Sequence, residues 1–266
     1  VADWIERQNI LLKEILEERS ADGWHHRWLE TATEAFYSAI LQPGDHAIDV
    51  GANRARHSVP MAKAVGADGR ILAIEAASAT AAKLARDLNV AGVADRVEIG
   101  RFAVSDTPGT AEFTYVPSAT GLSSLRTDEK FDAYADRVTE TVEVRTLDDV
   151  VAPGRRIAFI KLDIEGAELP ALRGARRLLR ESRPPLAFEH GGLRYERRFG
   201  YTFDEFYGFF EDIDYQLLTP FGSPFGPEWK GKNHAPQLFA LPREGSAAYR
   251  ERFVPAMVEA MYRMIP

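Results

Sequence analysis

HAIDVGANRARHSVPMAKAVGADGRILAIEAASATAAKLARDLNVAGVADRVEIG, residues 46–100, is the stretch that decides the fold. Three short, apolar, β-rich runs stand in it: HAIDV (46–50), RILAIE (70–75) and RVEIG (96–100). Ala-rich helical stretches at 57–65 and 78–90 separate them. Buried strands alternating with helices predict a parallel, doubly wound sheet, because a parallel crossover needs a helix to return the chain. Downstream, IAFIKLD (157–163), PLAFE (185–189), YQLLT (215–219) and QLFAL (237–241) read as further strands. A helix is expected over 166–181, with Leu169, Leu172, Ala175, Leu178 and Leu179 on one face, and another over 202–211. The alternation breaks at 109–146, where TAEFTYV and TVEVRTL read as strands of an insertion around the polar loop PSATGLSSLRTDE.

Upstream, Ile5, Leu12, Ile15 and Leu16 predict a helix over 2–17, and Trp24, Trp28, Ala32, Phe36 and Ile40 a second one, stopped by Pro43-Gly44. The tail 246–264 carries the stripe Tyr249, Phe253, Met257, Met261 and Met264, with a kink expected at Pro255. The organisation is thus a helical extension (1–42), one domain (43–243) and a C-terminal helix (244–266). The terminal stripes offer a surface for a second copy of the chain.

The chain has 266 residues, with 33 Lys and Arg against 40 Asp and Glu, a net charge of −7. At 45% hydrophobic and 27% charged it can bury a sizeable core, which excludes a disordered chain. The acidic balance opposes a sequence-independent grip on nucleic acid. No run of 18 apolar residues predicts a membrane span. With no cysteine, disulfides, thiolate zinc sites and cysteine nucleophiles are excluded. The opening VADWIERQN has no apolar signal region, and a cytoplasmic location is expected.

Three places carry chemistry. Asp49-Val50-Gly51-Ala52-Asn53 ends the first strand, and ligands of open α/β sheets bind beyond strand carboxyl ends. Glu75 ends the second strand, at the distance where an acid accepts hydrogen bonds from ribose hydroxyls. The phosphate-binding G-x-G-x-x-G is absent, since the line reads GANRAR, so a nucleoside cofactor without pyrophosphate is favoured over a dinucleotide. The second place is KLDIEGAE (161–168), three carboxylates at a strand-to-helix junction, of which Asp163 belongs to the strand tip. The third is FEHGG (188–192), where His190 stands at a strand tip beside two glycines, as a proton acceptor could.

DVGAN (49–53), IE (74–75), AVSD (103–106), GLSSL (121–125), VEVRTLDDV (142–150), IKLDIEGAELPALRGA (160–175) and LAFE (186–189) follow one another in a familiar order. The sequence resembles FkbM-type S-adenosylmethionine-dependent methyltransferases over roughly 44–192. The resemblance implies the class I (Rossmann-like) methyltransferase fold, an α/β seven-stranded, mostly parallel sheet with helices on both faces. It implies S-adenosyl-L-methionine as cofactor and methyl transfer to a hydroxyl of a sugar, polyketide or other secondary metabolite. Carried over by position, Asp49, Gly51 and Asn53 would hold the methionine end, Glu75 the ribose, Phe102 and Ala103 the adenine, and Asp163 the region of the reactive methyl. This chain departs from the family where Arg54-Ala55-Arg56-His57 replaces a glycine and an aromatic, and where Ala76 replaces a proline. Arg54 or Arg56 could crowd the cofactor or bind an anionic group of the acceptor.

Asp163 and His190 are the expected catalytic residues, because a hydroxyl is a poor nucleophile until its proton is removed. A divalent cation such as Mg²⁺ held by carboxylates is a second route to the same end. On the acceptor side, Ser123 and Ser124 in one loop, and Trp229 and His234 in the loop 220–236, are expected to close over the substrate. The competing readings are a nucleic-acid methyltransferase and a non-catalytic partner on the same scaffold.

Overall fold

The computed structural model describes residues 24–232 and 234–263, so the helix expected over 2–17 and Met264 lie outside the described residues. Its main sheet runs in the order β10-β11-β9-β8-β1-β2-β3. The strands are β1 (His46–Val50), β2 (Arg70–Ile74), β3 (Val97–Gly100), β8 (Phe159–Leu162), β9 (Leu186–Glu189), β10 (Tyr215–Leu218) and β11 (Gln237–Pro242). All pairings are parallel except those of β11, which runs against both β9 and β10. This is the seven-stranded class I methyltransferase fold that the resemblance implied.

Alternating residues feed two cores, as a sheet covered on both faces requires. Ile48, Ile160, Leu186 and Phe188 join Leu172, Leu178, Phe206 and Phe210 in one. Ala47, Phe159, Ala187 and Phe239 join Phe36, Met61, Leu84 and Phe253 in the other. The helices Trp24–Ile40 and Ser246–Tyr262 meet in this second core, where the rings of Phe36 and Phe253 are 4.6 Å apart. Phe36, Phe253 and Met257 are buried within the chain. These described residues of the terminal stripes therefore pack within the chain. The C-terminal helix continues through Pro255. Among the described residues no helix is long and apolar enough to cross a membrane.

The insertion forms a second sheet, ordered β4-β7-β5-β6, from β4 (Ala103–Val104), β5 (Gly109–Tyr115), β6 (Ser123–Ser124) and β7 (Val138–Arg145). It covers the carboxyl ends of β1 and β2 with Phe113, Leu122 and Ser123.

Two local readings differ from expectation. The helix expected over 166–181 is two, Glu168–Arg173 and Arg176–Ser182. Between them Gly174 runs so close to the neighbouring chain that a Cβ would stand 2.2 Å from the Ser105 carbonyl oxygen. Asp148 caps the second helix by accepting the Arg177 and Leu178 N–H groups, both at 2.8 Å. A further helix, Leu193–Phe199, follows Gly192 where none was predicted. Its sequence LRYERRF is too short and too charged to show an apolar period.

Candidate active site

The register places Val50 beside both Ile74 and Leu162, so the tips of β1, β2 and β8 open side by side. From there the chain turns through Gly51 (φ +77), Asn53 (φ +45) and Ala55 (φ +63). At Gly51 any side chain is excluded, because a Cβ would lie 2.0 Å from the Asp163 carbonyl oxygen. Ala55 takes the place of the family glycine and holds a left-handed conformation that costs an L-residue about 1–2 kcal/mol. Ala55→Gly is expected to keep stability or raise it by up to about 1 kcal/mol, against the usual loss of about 0.5–1 kcal/mol for this exchange. Urea unfolding checks the sign.

Glu75 turns back under this loop. Its carboxylate accepts the Asn53 N–H at 3.0 Å and the Ala77 N–H at 2.9 Å. Burial pushes its pKa up to about 7, against the pull of those two donors. Asn53 donates its side-chain amide to the Thr120 carbonyl at 3.2 Å, and its Oδ1 is buried with no hydrogen-bond partner in the structure.

A cavity of about 890 Å³ opens over these tips. Gly51, Asn53, Glu75, Phe102, Ala103, Ser123 and Asp163 line it, together with Lys161, Glu189 and Gln237. Six of the expected cofactor residues thus share one wall system. Asp49 does not reach it. Its carboxylate is fully buried beneath the turn, where it accepts the Ser58 hydroxyl at 2.6 Å and stands 3.4 Å from the Lys161 ammonium. Ser124 is buried behind Ser123, with its hydroxyl 3.5 Å from the Glu165 carbonyl oxygen.

The histidine expectations are the main correction. His190 lies outside the cavity wall, stacked on Phe206 with ring centroids 4.1 Å apart. Its Nδ1 is 3.2 Å from Nε2 of His234, whose own Nδ1 donates to the Ala235 carbonyl at 2.7 Å. That pattern puts the His190 proton on Nδ1 and leaves Nε2 buried without a partner. Burial pushes the His190 pKa down to about 3, with the His234 ring adding to it, and burial also lowers that of His234. Trp229 is likewise core, stacked on Phe225 at 5.4 Å, so the loop 220–236 packs against the sheet edge and, among the described residues, offers the cavity only Pro236. A strand-tip position is shared by residues that alternate between faces, and His190 takes the face opposite to that of Glu189.

His190 gives a pH test. Below about pH 6.5 the unfolded chain takes up a proton that the native His190 refuses, so its contribution is lost as pH falls from 6.5 towards 3. The buried carboxylates Glu75 and Glu189 have raised native pKa values and act in the opposite direction. The comparison must therefore be between wild type and His190→Gln. The stability of the variant relative to wild type should climb as pH falls from 6.5 to 5, with a slope that approaches about 1.4 kcal/mol per pH unit at the lower end, read by urea unfolding. A flat difference would remove the buried neutral histidine from this account.

Residues outside the expected catalytic, cofactor and acceptor sets also shape the site. Lys161, buried in the middle of β8, stands 3.4 Å from both Asp49 and Asp163. Burial alone would lower its pKa, but the two carboxylates outweigh it and keep the ammonium charged. The signal was a lysine inside the apolar run IAFIKLD. Tyr195, on the unpredicted helix, donates its hydroxyl to Glu189 at 2.9 Å, and a Glu165 carboxylate oxygen lies 3.2 Å from the same hydroxyl. On the opposite wall, His57 lies 2.6 Å from Glu30 and 3.3 Å from the Tyr37 hydroxyl, and Arg56 lies 2.5 Å from Glu34. These contacts tie the helix Trp24–Ile40 to the turn after Gly51. Arg54 leaves the site altogether and pairs with Asp87 at 2.9 Å.

The profile of the methyltransferase FkbM domain matches residues 49–217. The chain belongs to the FkbM methyltransferase family. Methyltransferase sdnD of Sordaria araneosa is 30% identical over an alignment of 162 positions that covers 51% of this chain and 62% of that protein. Among solved structures, methyltransferase FkbM from Methylobacillus flagellatus is similar at 20% identity and a TM-score of 0.45, over 76% of this chain and 48% of that one. The O-methyltransferase TomG from Streptomyces achromogenes, solved with SAM, is similar at 16% identity and a TM-score of 0.44, over 81% and 79%.

Within the FkbM motifs, Gly174 and Asp148 now have packing roles, whereas Gly51, Asn53, Glu75 and Asp163 stand on the cavity. S-adenosyl-L-methionine is the family's cofactor, and the residues present fit it. Glu75 retains carboxylate lone pairs for two hydroxyls, Asn53 Oδ1 awaits a donor, and Phe102 with Ala103 and Phe113 forms an apolar slot. Among the described residues no group of three or more His, Asp or Glu is arranged to hold a metal ion.

Proposed function

We propose that this protein transfers a methyl group from S-adenosyl-L-methionine to a hydroxyl oxygen of a small-molecule acceptor such as a sugar, polyketide or other hydroxylated metabolite. The observation that carries this reading is one cavity whose wall includes Gly51, Glu75 and Phe102 as well as Ser123, Lys130, Tyr134, Asp163, Glu189 and Gln237. The first three suit a nucleoside. The others supply hydrogen-bonding groups, as a hydroxylated acceptor requires.

In this reading Glu75 accepts the ribose hydroxyls, Asn53 with the Gly51 backbone holds the methionine end, and Phe102 with Ala103 flanks the adenine. Bound there, the cofactor supplies an electrophilic methyl group on a sulfonium. Asp163, held by Lys161, contributes negative charge near that cation, and the wall from Ser123 to Tyr134 orients the acceptor oxygen and limits water. The net charge of −7 weighs against a nucleic-acid acceptor.

The test is a mass-spectrometric screen with methyl-deuterated cofactor against monosaccharides, glycosides, hydroxylated polyketides and an RNA pool. Methylation confined to hydroxyls of small molecules supports the reading. Methylation of RNA alone, or cofactor binding with no product from any class, sinks it.

A further inference from the structure

Building on the hydroxyl-methylation reading above, we propose that Glu189 is the general base that takes the acceptor's proton, and that Tyr195 is the residue that positions it. Glu189 ends β9 and lines the cavity, while its neighbour His190 faces the core. Phe188 pairs with Leu162 in the β8–β9 ladder, so Glu189 stands at the strand tips beside Asp163. Its carboxylate accepts the Tyr195 hydroxyl at 2.9 Å, which fixes its orientation from the helix Leu193–Phe199.

The three carboxylates on this wall differ in their partners, and the difference selects Glu189. Asp163 is ion-paired with the Lys161 ammonium at 3.4 Å. Glu165 is paired with Arg194 at 3.1 Å and lies 3.9 Å from Arg198. Glu189 makes no ion pair among the described residues. The groups that face it are Asp163 and Glu165 from the loop after β8, Glu168 from the next helix, and Tyr195 with Arg194 from the helix Leu193–Phe199. Burial and the negative charges of Asp163 and Glu165 push its pKa up to about 8, while Tyr195 and Arg194 pull it back. A base with a proton affinity near the working pH accepts a proton most effectively at the moment of transfer.

The step balances. One C–O bond forms, one C–S bond breaks, the thioether leaves neutral, and the hydroxyl proton passes to a Glu189 carboxylate oxygen. The positive charge of the donor and the negative charge of the carboxylate cancel together, so no charge remains stranded in the buried site.

Two arms test this on the full chain. The first uses S-adenosylhomocysteine alone and ¹³C-labelled glutamate. Glu189, assigned by the resonance lost in Glu189→Gln, should titrate near pH 8 in wild type and higher in Tyr195→Phe, which lacks the hydroxyl that favours the charged form. Titration in the ordinary carboxylate range, unmoved by Tyr195→Phe, overturns the assignment. The second arm uses the most reactive acceptor from the mass screen. Glu189→Gln should lower kcat by roughly 10²–10⁴-fold, with S-adenosylhomocysteine affinity within threefold of wild type as proof of folding. In wild type kcat/KM should rise with pH to a plateau above pH 8, and Tyr195→Phe should move that limb upward while retaining the plateau. Full turnover in Glu189→Gln overturns the proposal even where hydroxyl methylation stands. A screen without hydroxyl products would instead sink the reading beneath it, and the titration arm would still decide whether Glu189 holds a proton near pH 8.

Discussion

Glu75→Ala is expected to weaken S-adenosylhomocysteine binding by roughly 30- to 150-fold, the equivalent of about 2–3 kcal/mol for a buried contact to a charged group. The structure adds a second effect. Glu75 also satisfies the Asn53 and Ala77 N–H groups, and the alanine variant leaves both without that acceptor. An unsatisfied buried donor costs about 1–3 kcal/mol, so the variant should unfold at clearly lower urea than wild type. Glu75→Gln keeps the shape and one acceptor oxygen and should lie between the two in stability. A pH signature separates grip from scaffold. Hydroxyl donors from the ribose favour the ionised carboxylate, whose pKa is about 7 in the empty site. Affinity should therefore fall up to tenfold per unit as pH drops below 7, by the proton that must leave on binding. Calorimetry across pH 5.5–8 should show that slope in wild type and lose it in Glu75→Gln. Affinity that survives Glu75→Ala unchanged would place the cofactor elsewhere.

The parts of this fold legible in sequence are those where local pattern and burial agree. The strand at 46–50 is buried on both faces and is framed by Gly44 and Gly51, so its composition alone announces it. Glu75 was legible because strand length and crossover length fix how far along the chain the second tip must come. The insertion was recognisable as an interruption, although β7 begins at Val138, three residues before the predicted strand, because its first residues, Val138, Thr139 and Glu140, are not buried and give no apolar run. What the sequence hid was direction. Glu189 and His190 are adjacent, and only the pairing of β9 with β8 and β11 decides which of them faces the cavity. Sequence reasoning preferred the histidine for its chemistry, and the sheet register gave the place to the glutamate. Trp229 was misjudged for a related reason. A Gly- and Pro-rich loop reads as exposed, yet Phe225 and Trp229 within it fill the core beside Phe203 and His190.

Lys161→Met is expected to be the most damaging single change in the sheet. The buried ammonium stands between two carboxylates, 3.4 Å from Asp49 and 3.4 Å from Asp163. Without it, Asp49 stays fully buried with the Ser58 hydroxyl as its remaining donor. Removing one partner of a buried pair costs about 3–5 kcal/mol, because the other charge is left uncompensated. For a chain of this size that corresponds to a Tm lower by about 6–20 °C. Replacing both members tests the cause. In Asp49→Asn with Lys161→Met the buried charge and its counter-charge go together, and most of the stability should return, since buried pairs exchanged for neutral groups are often near-neutral. Cofactor affinity should not return with it, because Asp163 on the cavity wall still lacks the ammonium that pairs with it and sets its position. Stability and S-adenosylhomocysteine affinity, measured on the two single variants and the double, thus separate the two jobs of one lysine. If affinity recovers together with stability, Lys161 serves the fold alone, and Asp163 holds its place on the cavity without it.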